Sequence, residues 1–381
     1  MEEGGLNIVA DEDMPMVKSL FGPFGNVKTC PGREISSAHL TEADVLLVRS
    51  VTSVNHELLN GSKVKFVGSA TIGVDHVDTT YLSDNNISFA AAPGCNADAV
   101  IQYVLSAICR LAPNWQHKSV GIVGCGNVGG RLYTLLSSLG ISCLGYDPFL
   151  DSKEFRSTTF EDILACDIIC LHTPLTTQGA YPTYHLFDQS VLRRLNPGTV
   201  LINAGRGDVI DNQALLSVLS SGTELSVALD VWSQEPNIDP QLMELISVAT
   251  PHIAGHSLEG KIKGTTMVFD SFLDWIGEHC NRSPMTQLDA VALEGNNQTL
   301  NEVILASYDV LEDATRMRKA MSNRSESVAM VFDRLRREYP LRREFSSTLV
   351  SNKALASQDI EKLSLLGFSF DGIRPEIPTD D

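Results

Sequence analysis

Two doubly wound, Rossmann-like α/β domains with a cleft between them, followed by a small C-terminal α+β domain, make up the fold this sequence predicts. Three observations carry the prediction. Short continuous apolar runs alternate with helical patterns twice over, the signature of parallel strands covered on both faces. A glycine cluster follows one of those strands and opens a helical pattern, and beyond residue 280 the alternation gives way to a polar, turn-rich stretch and a different mixture of elements.

Taken in order, residues 6–10, 45–49, 66–70 and 87–91 read as buried strands, with a helical pattern at 14–21 between the first two. A long helix is expected over 97–111. The second α/β set then has strands at 119–123, 142–146, 167–172, 199–203 and 225–230, separated by helices at 127–139, 188–194, 211–220 and 239–246. Another helix follows at 258–278, and 281–297 reads as a linker. Beyond it, 302–307 and 348–350 are strand-like, 325–338 and 357–366 helical, and the tail 374–381 is expected to fray. The domains are therefore drawn as 1–96 with 253–285, 97–252, and 286–381. A last domain of roughly 80 residues is near the size at which an independent core is marginal, so it is expected to bury a face against a second copy and make a homodimer.

Composition narrows the partners. A formal charge of −18 argues against nucleic acid and against an anionic membrane face, and it obliges any anionic substrate to be met by a local cluster of cations. No apolar run reaches the roughly 18–20 residues of a membrane span, and no basic segment precedes an apolar one at the start, so a cytoplasmic protein is expected. The eight cysteines include no C-x-x-C pair, and no histidines stand at ligand spacing; the cysteines read as small buried hydrophobes, and no metal is expected.

Gly124-x-Gly126-x-x-Gly129 would be a weak signal alone, because glycines cluster at many turns. Here a strand precedes it, a helix follows it, and Asp147 closes the next strand eighteen residues beyond Gly129. Glycines allow a tight turn and close approach of the backbone to a pyrophosphate, and the acid suits ribose hydroxyls while repelling a 2′-phosphate. The cofactor expected is NAD rather than NADP.

Three later stretches supply a cation, a carboxylate and an imidazole: Asn203 to Gly207, Asp230 to Pro236, and Pro251 to Gly255. Arg206 follows a strand between glycines, where its planar fork matches a substrate carboxylate; the alternative is a surface arginine capping a turn. His252 has the proton affinity a general base needs near neutral pH, and Glu235, also on a loop after a strand, would fix its tautomer and stabilise its charged form. Asp230 either orients a nicotinamide ring or caps the next segment. Thr173 is expected against the cofactor, whereas His172 reads equally as packing. In the first domain Arg49, Ser50 and Thr71 end strands and become candidate substrate ligands.

With these residues in place the chain resembles the D-isomer-specific 2-hydroxyacid dehydrogenases over residues 6–280. The order of the glycine motif, His172-Thr173-Pro174-Leu175, Asn196-Pro197-Gly198 to Gly207, Asp230 to Pro236 and Thr250 to Gly255 carries that likeness. It is closer still to one branch of the family, through Asp11 to Pro15, Val48 to Thr52, Val67 to Thr71, Ala92 to Ala97, Gly255 to Lys261, Phe332 to Arg336 and Arg342 to Ser347. That branch oxidises a phosphorylated hydroxy acid on the way to pyridoxal phosphate and dimerises through its C-terminal domain. The resemblance implies Arg206, Glu235 and His252 as the catalytic set, and Ser50 and Thr71 as substrate ligands. It implies Asn127, Val128, Asp147, Thr173, Ala204, Gly205, Arg206, Asp230 and Gly255 as cofactor contacts, beside Gly124, Gly126 and Gly129. Where the family usually has tyrosine after the Ala-Gly of the histidine loop, this chain has His256, expected to donate to substrate, more strongly at lower pH. The rival readings are the same chemistry on phosphoglycerate or an unphosphorylated acid, and an NAD-sensing scaffold that binds protein partners.

Overall fold

Residues 1–96 and 257–288 form one unit, and 97–256 with 289–381 form a second. The computed structural model describes residues 5–150, 157–278, 288–293, 295, 298–323 and 325–370.

The first unit is built on five parallel strands: β1 (Leu6–Asp11), β2 (Gly25–Cys30), β3 (Val45–Val48), β4 (Phe66–Ser69) and β5 (Ser88–Ala91), in the order β2-β1-β3-β4-β5. Successive side chains of a strand point to opposite faces. Ile8, Ala10, Val45 and Leu47 accordingly join one core with Phe21 and Phe272, and Val9, Leu46 and Val48 join another with Leu40 and Leu59. Strand β2 escaped the sequence reading because it lies at the sheet edge, where no residue is fully buried and polar Asn26 and Lys28 interrupt the apolar run. The helix expected over 14–21 is shorter, Val17–Phe21, since Met16 takes a left-handed φ of 61° at its N-cap. Helix Leu258–Ile276 lays Val268, Phe269, Phe272 and Leu273 into the first of these cores. A Cβ at Gly68 would stand 2.3 Å from the Val268 side chain, so β4 and this helix approach only because residue 68 is glycine.

The second unit holds β6 (Val120–Val123), β7 (Cys143–Tyr146), β8 (Ile168–Leu171), β9 (Thr199–Asn203), β10 (Leu225–Leu229) and β11 (Val248–Ala249). All pair in parallel, in the order β11-β10-β9-β8-β6-β7, so strand order reverses between β6 and β8. Ligands of doubly wound sheets bind outside the carboxyl ends of the strands at such a reversal. Helix Ala97–Leu111, as expected, runs beneath this sheet and is buried on nearly every side.

The C-terminal residues depart furthest from expectation. Residues 302–307 belong to helix Leu300–Ser307 rather than to a strand: Thr299 and Glu302 close a reciprocal capping box, and Val303 and Ile304 turn their apolar bulk into the core shared with helix Ala97–Leu111. Helix Val310–Met321 was not anticipated. Helices Val328–Arg337 and Ser357–Leu365 fall where expected, and a small parallel sheet joins β12 (Val291–Ala292), β13 (Thr348–Val350) and β14 (Ser369–Phe370). Strand β12 lies inside the supposed linker, most of which, like the tail from 374, is outside the described residues. The boundaries shift too. Ile253 to His256 go with the second unit, because the amides of Ile253 and Ala254 are tied to Asp230, and residues 289–381 share a core with 97–256.

Candidate active site

Every motif of the second unit sits at the carboxyl end of its strand. Gly124 follows β6 with φ 84°, and a Cβ there would approach the Thr173 backbone nitrogen to 2.8 Å, so the turns after β6 and β8 touch. Gly129 is tighter: its Cβ would stand 1.9 Å from the Gly124 carbonyl oxygen. At Gly126 a Cβ would meet nothing within 4 Å, so the loop is open there. Val128 caps helix Gly129–Ser138 without any side-chain acceptor, although the Gly130 amide is already taken by the Gly126 carbonyl at 2.9 Å; the helix start, with its positive dipole end, has no acid of its own in the first turn and suits an anion. Asp147 accepts from the Cys125 amide at 2.9 Å and the Phe149 amide at 3.1 Å, which fixes its carboxylate beside the glycine loop. Thr173 is buried, with no hydrogen-bond partner for its hydroxyl. A glycine cradle, a helix start without a side-chain cap, a fixed acid and a spare buried hydroxyl fit a dinucleotide.

His172, beside it, has both ring nitrogens shielded and unpartnered, and burial alone pushes its pKa down to about 4. It is packing, held neutral.

Asn203 ends β9, fully buried, and does what the sequence did not disclose. Its side chain accepts from the Gly205 amide at 3.1 Å and donates to the Arg206 carbonyl at 2.9 Å, shaping the loop that bears the arginine. Arg206 is half-buried and its Nη1 donates to the Gly205 carbonyl at 2.9 Å. A Cβ at Gly207 would lie 2.0 Å from the Trp232 carbonyl, so this loop is pressed onto the one that carries Glu235.

Glu235 and His252 meet: Glu235 Oε2 lies 2.7 Å from His252 Nδ1, while Oε1 accepts from the Trp232 amide at 2.8 Å. Burial pushes the Glu235 carboxyl up, but the His252 charge and these hydrogen bonds outweigh it and leave the carboxyl below its ordinary value. An ionised Glu235 holds the proton on Nδ1 and leaves Nε2 as the basic nitrogen. His252 adopts φ 57°, a left-handed conformation rare for a residue with a Cβ, and its amide donates to the Asp230 carbonyl at 2.7 Å.

Asp230 is the anchor of that loop. Its side chain, 1% exposed, accepts from the Thr250 hydroxyl at 2.7 Å and from the amides of Ile253 and Ala254 at 2.8 Å each. Its partners lie about twenty residues on, so it is not a cap of the next segment. Burial raises its pKa against these donors and the His252 charge. His256 closes the loop with its amide on the Ile253 carbonyl at 2.9 Å and its ring edge-on to Tyr339, centroids 5.7 Å apart.

In the first unit Arg49 and Ser50 follow β3 and Thr71 follows β4. Arg49 Nη1 lies 3.3 Å from Asp13 Oδ2, Ser50 is exposed, and the Thr71 hydroxyl sits 2.7 Å from that of Ser69 and donates to the Gly73 carbonyl at 2.8 Å. Lys261, on the returning helix, joins this group: burial and the nearby Arg49 lower its pKa against the pull of Asp13 and Asp11. Arg49 and Lys261 are thus two cations near enough for one to act on the charge of the other, in a chain of −18. Among the described residues, no group of three or more histidine, cysteine or acidic side chains is arranged to hold a metal.

Comparison with known proteins agrees with this geometry. Residues 107–254 match the model of the D-isomer specific 2-hydroxyacid dehydrogenase NAD binding domain, and 282–367 match a domain of unknown function (DUF3410). The erythronate-4-phosphate dehydrogenase of Teredinibacter turnerae is 44% identical over 97% of this chain and 100% of its own length. That of Saccharophagus degradans is 46% identical over 90% and 93% respectively. Among solved structures, the fold is shared with D-lactate dehydrogenase of Aquifex aeolicus, complexed with NAD and lactic acid, at TM-score 0.61 and 19% identity over 71% of this chain and 96% of that one. It is also shared with NAD-bound 3-phosphoglycerate dehydrogenase of Entamoeba histolytica, at TM-score 0.62 and 22% identity over 72% and 96%. Those two cover less than three-quarters of the chain, whereas the full-length relatives extend through the C-terminal helices. By sequence over nearly its whole length, the chain belongs to the erythronate-4-phosphate dehydrogenase family of D-isomer-specific 2-hydroxyacid dehydrogenases.

Proposed function

We propose that this enzyme oxidises 4-phospho-D-erythronate at C2 to (R)-3-hydroxy-2-oxo-4-phosphooxybutanoate, a step toward pyridoxine 5′-phosphate. The observation that carries the reading is the Glu235–His252 pair, 2.7 Å apart at the carboxyl ends of β10 and β11. NAD, when bound, supplies the hydride acceptor; Gly124, Gly126, Asn127, Val128, Gly129, Asp147, Thr173, Ala204, Gly205, Arg206, Asp230 and Gly255 are the residues assigned to hold it. Everything else falls to side chains of this protein. The C2 hydroxyl gives its proton to Nε2 of His252 as the C2–H bond is lost as hydride, leaving C2 doubly bonded to oxygen. Glu235 stabilises the imidazolium so formed. Arg206 holds the substrate carboxylate in its fork and polarises the neighbouring oxygen. Arg49, Ser50, Thr71 and His256 are assigned to the substrate, its phosphate included; the cation pair Arg49 and Lys261 supports that assignment.

Replacing His252 by Ala should lower kcat by at least about 100-fold while leaving NAD binding intact. Unchanged turnover would remove the general-base assignment. The substrate is tested by comparing kcat/KM on 4-phosphoerythronate, erythronate and 3-phosphoglycerate. Preference for either of the others would move the enzyme to another branch of its family, and no NADH formation from any hydroxy acid would favour a non-catalytic scaffold.

The reading includes a homodimer formed through the C-terminal residues. Met330, Leu341 and Leu365 there are 61%, 71% and 47% exposed, apolar surface that a second copy would cover. Light scattering should give twice the 41.5 kDa chain mass; a monomer at micromolar concentration would contradict it.

A further inference from the structure

Arg342 opens a C-terminal stretch that carries the family likeness but lies outside the catalytic and cofactor motifs, yet it is only 6% exposed. Burying a guanidinium is costly unless its charge and donors are used. The charge is met by aromatic faces: the guanidinium carbon stands 4.5 Å from the Tyr308 ring centroid and 5.9 Å from that of Tyr339. Both phenols donate to Asp313 Oδ2, at 2.8 and 2.7 Å, and Arg316 holds the other oxygen at 2.9 Å, so the aromatic box is itself fixed. Of the donors, Nη2 goes to two carbonyls, that of Ala99 at the start of helix Ala97–Leu111, at 3.3 Å, and that of Ala254. Nε and Nη1 have no hydrogen-bond partner. The one nitrogen in use thus ties the histidine loop to the start of helix Ala97–Leu111.

Ala254 is two residues beyond His252, and its amide is the one tied to Asp230 Oδ2 at 2.8 Å. Asp230 therefore grips that residue by its nitrogen and Arg342 by its oxygen. Between them the peptides on both sides of Ala254 have little freedom to rotate, and with the Ile253 amide also on Asp230 the left-handed His252 carries its imidazole at a defined angle to Glu235. We propose that Arg342 is a positioning residue for the general base, a contact by which the C-terminal segment fixes the histidine loop of the NAD-binding sheet. The inference rests on the reading of His252 as base.

Its test is the variant R342A, judged folded by a native circular dichroism spectrum and one cooperative thermal transition. The expected result is a kcat lowered about 10- to 100-fold, the loss that a base displaced by about an ångström produces, with KM for NAD within about twofold. Because the effect passes through the imidazole, R342A should cost little more in an H252A background, and guanidinium ion at non-denaturing concentration should restore part of the turnover of R342A alone. A structural role would instead lower the melting temperature with kcat unchanged, or multiply with H252A; either overturns the proposal. If R342A does not fold, R342K, which keeps the charge and one donor, is read in the same way. Failure of both to fold would make Arg342 a core residue and end the proposal. Full activity of H252A by itself would remove the base assignment, and this inference with it, whatever Arg342 does.

Discussion

His172 and His252 separate the two fates of an imidazole. His252 has a carboxylate on one ring nitrogen; His172 has nothing on either, and burial pushes its pKa down to about 4 from an ordinary 6.5. A histidine whose folded pKa is depressed takes up its proton only in the unfolded chain between those two values, so folding loses stability as pH falls through that window. The loss is at most about 3–4 kcal/mol, at roughly 1.4 kcal/mol per pH unit. His172→Leu should therefore flatten the fall in unfolding free energy between pH 6.5 and 4, measured by urea denaturation; an unchanged slope would show that His172 is not what titrates. At this scale the sequence disclosed residues whose side-chain chemistry the reaction demands: an imidazole, an acid, a guanidinium. It did not disclose their supports. Asn203 reads as the last residue of an apolar strand, and Arg342 as one more charge in an arginine-rich run, because a hydrogen bond to a backbone carbonyl 88 residues away leaves no mark on local pattern. Asp230 was singled out, but its partners at Thr250, Ile253 and Ala254 were invisible for the same reason.

Strands and helices were legible where burial was two-sided or where a cap announced them. Runs such as Val45–Val48 and Ile168–Leu171 are buried at every position and can only be interior strands of a covered sheet. Edge strand β2, half-exposed and polar, lacks that signal, and β11, β12 and β14 are two residues long. The helix Leu300–Ser307 was misread because Val303, Ile304 and Leu305 form a short apolar run that either structure would accommodate; the capping pair Thr299 and Glu302 was the cue that decided for helix. The glycine loop supplies the element-level prediction. A methyl group on Gly129 would meet the Gly124 carbonyl at 1.9 Å, backbone against backbone, so loop and helix must part. Gly129→Ala should raise KM for NAD about tenfold and cost about 1–3 kcal/mol of stability, with a smaller effect on kcat. Gly126→Ala, where a Cβ meets nothing, should leave stability unchanged and act on NAD affinity alone. Equal loss of stability in both variants would contradict the packing argument.

Across the whole molecule the sequence showed where the pattern changes, near residue 280, but a change of pattern does not say what covers the new elements. A separate third domain was expected, its own core marginal and completed against a second copy. Instead Leu300, Val303, Ile304, Phe345 and Phe368 share one core with Tyr103, Val104 and Ile108 of helix Ala97–Leu111. Polar contacts tie the same surfaces: Ser106 donates to the Tyr308 carbonyl at 2.8 Å, Gln102 to the Arg343 carbonyl at 3.1 Å, and Trp115 Nε1 to Asn301 Oδ1 at 2.9 Å. That helix faces the strands on one side and the C-terminal helices on the other, which is why it is buried on nearly every side. A chain ending at residue 288 would retain every residue assigned to catalysis and cofactor binding, yet it would bare one whole face of this helix and leave Ser106 and Gln102 without partners. Buried polar groups that lose their partners cost about 1–3 kcal/mol each, and the uncovered apolar side chains cost more, against a total stability of about 5–15 kcal/mol. The truncated protein should bind a hydrophobic dye such as ANS, lose cooperative unfolding, and form no NADH. A soluble fragment of residues 1–288 that melts cooperatively and turns over substrate would show that the NAD-binding domain closes its core alone, and that the C-terminal segment is an attachment to it rather than part of it.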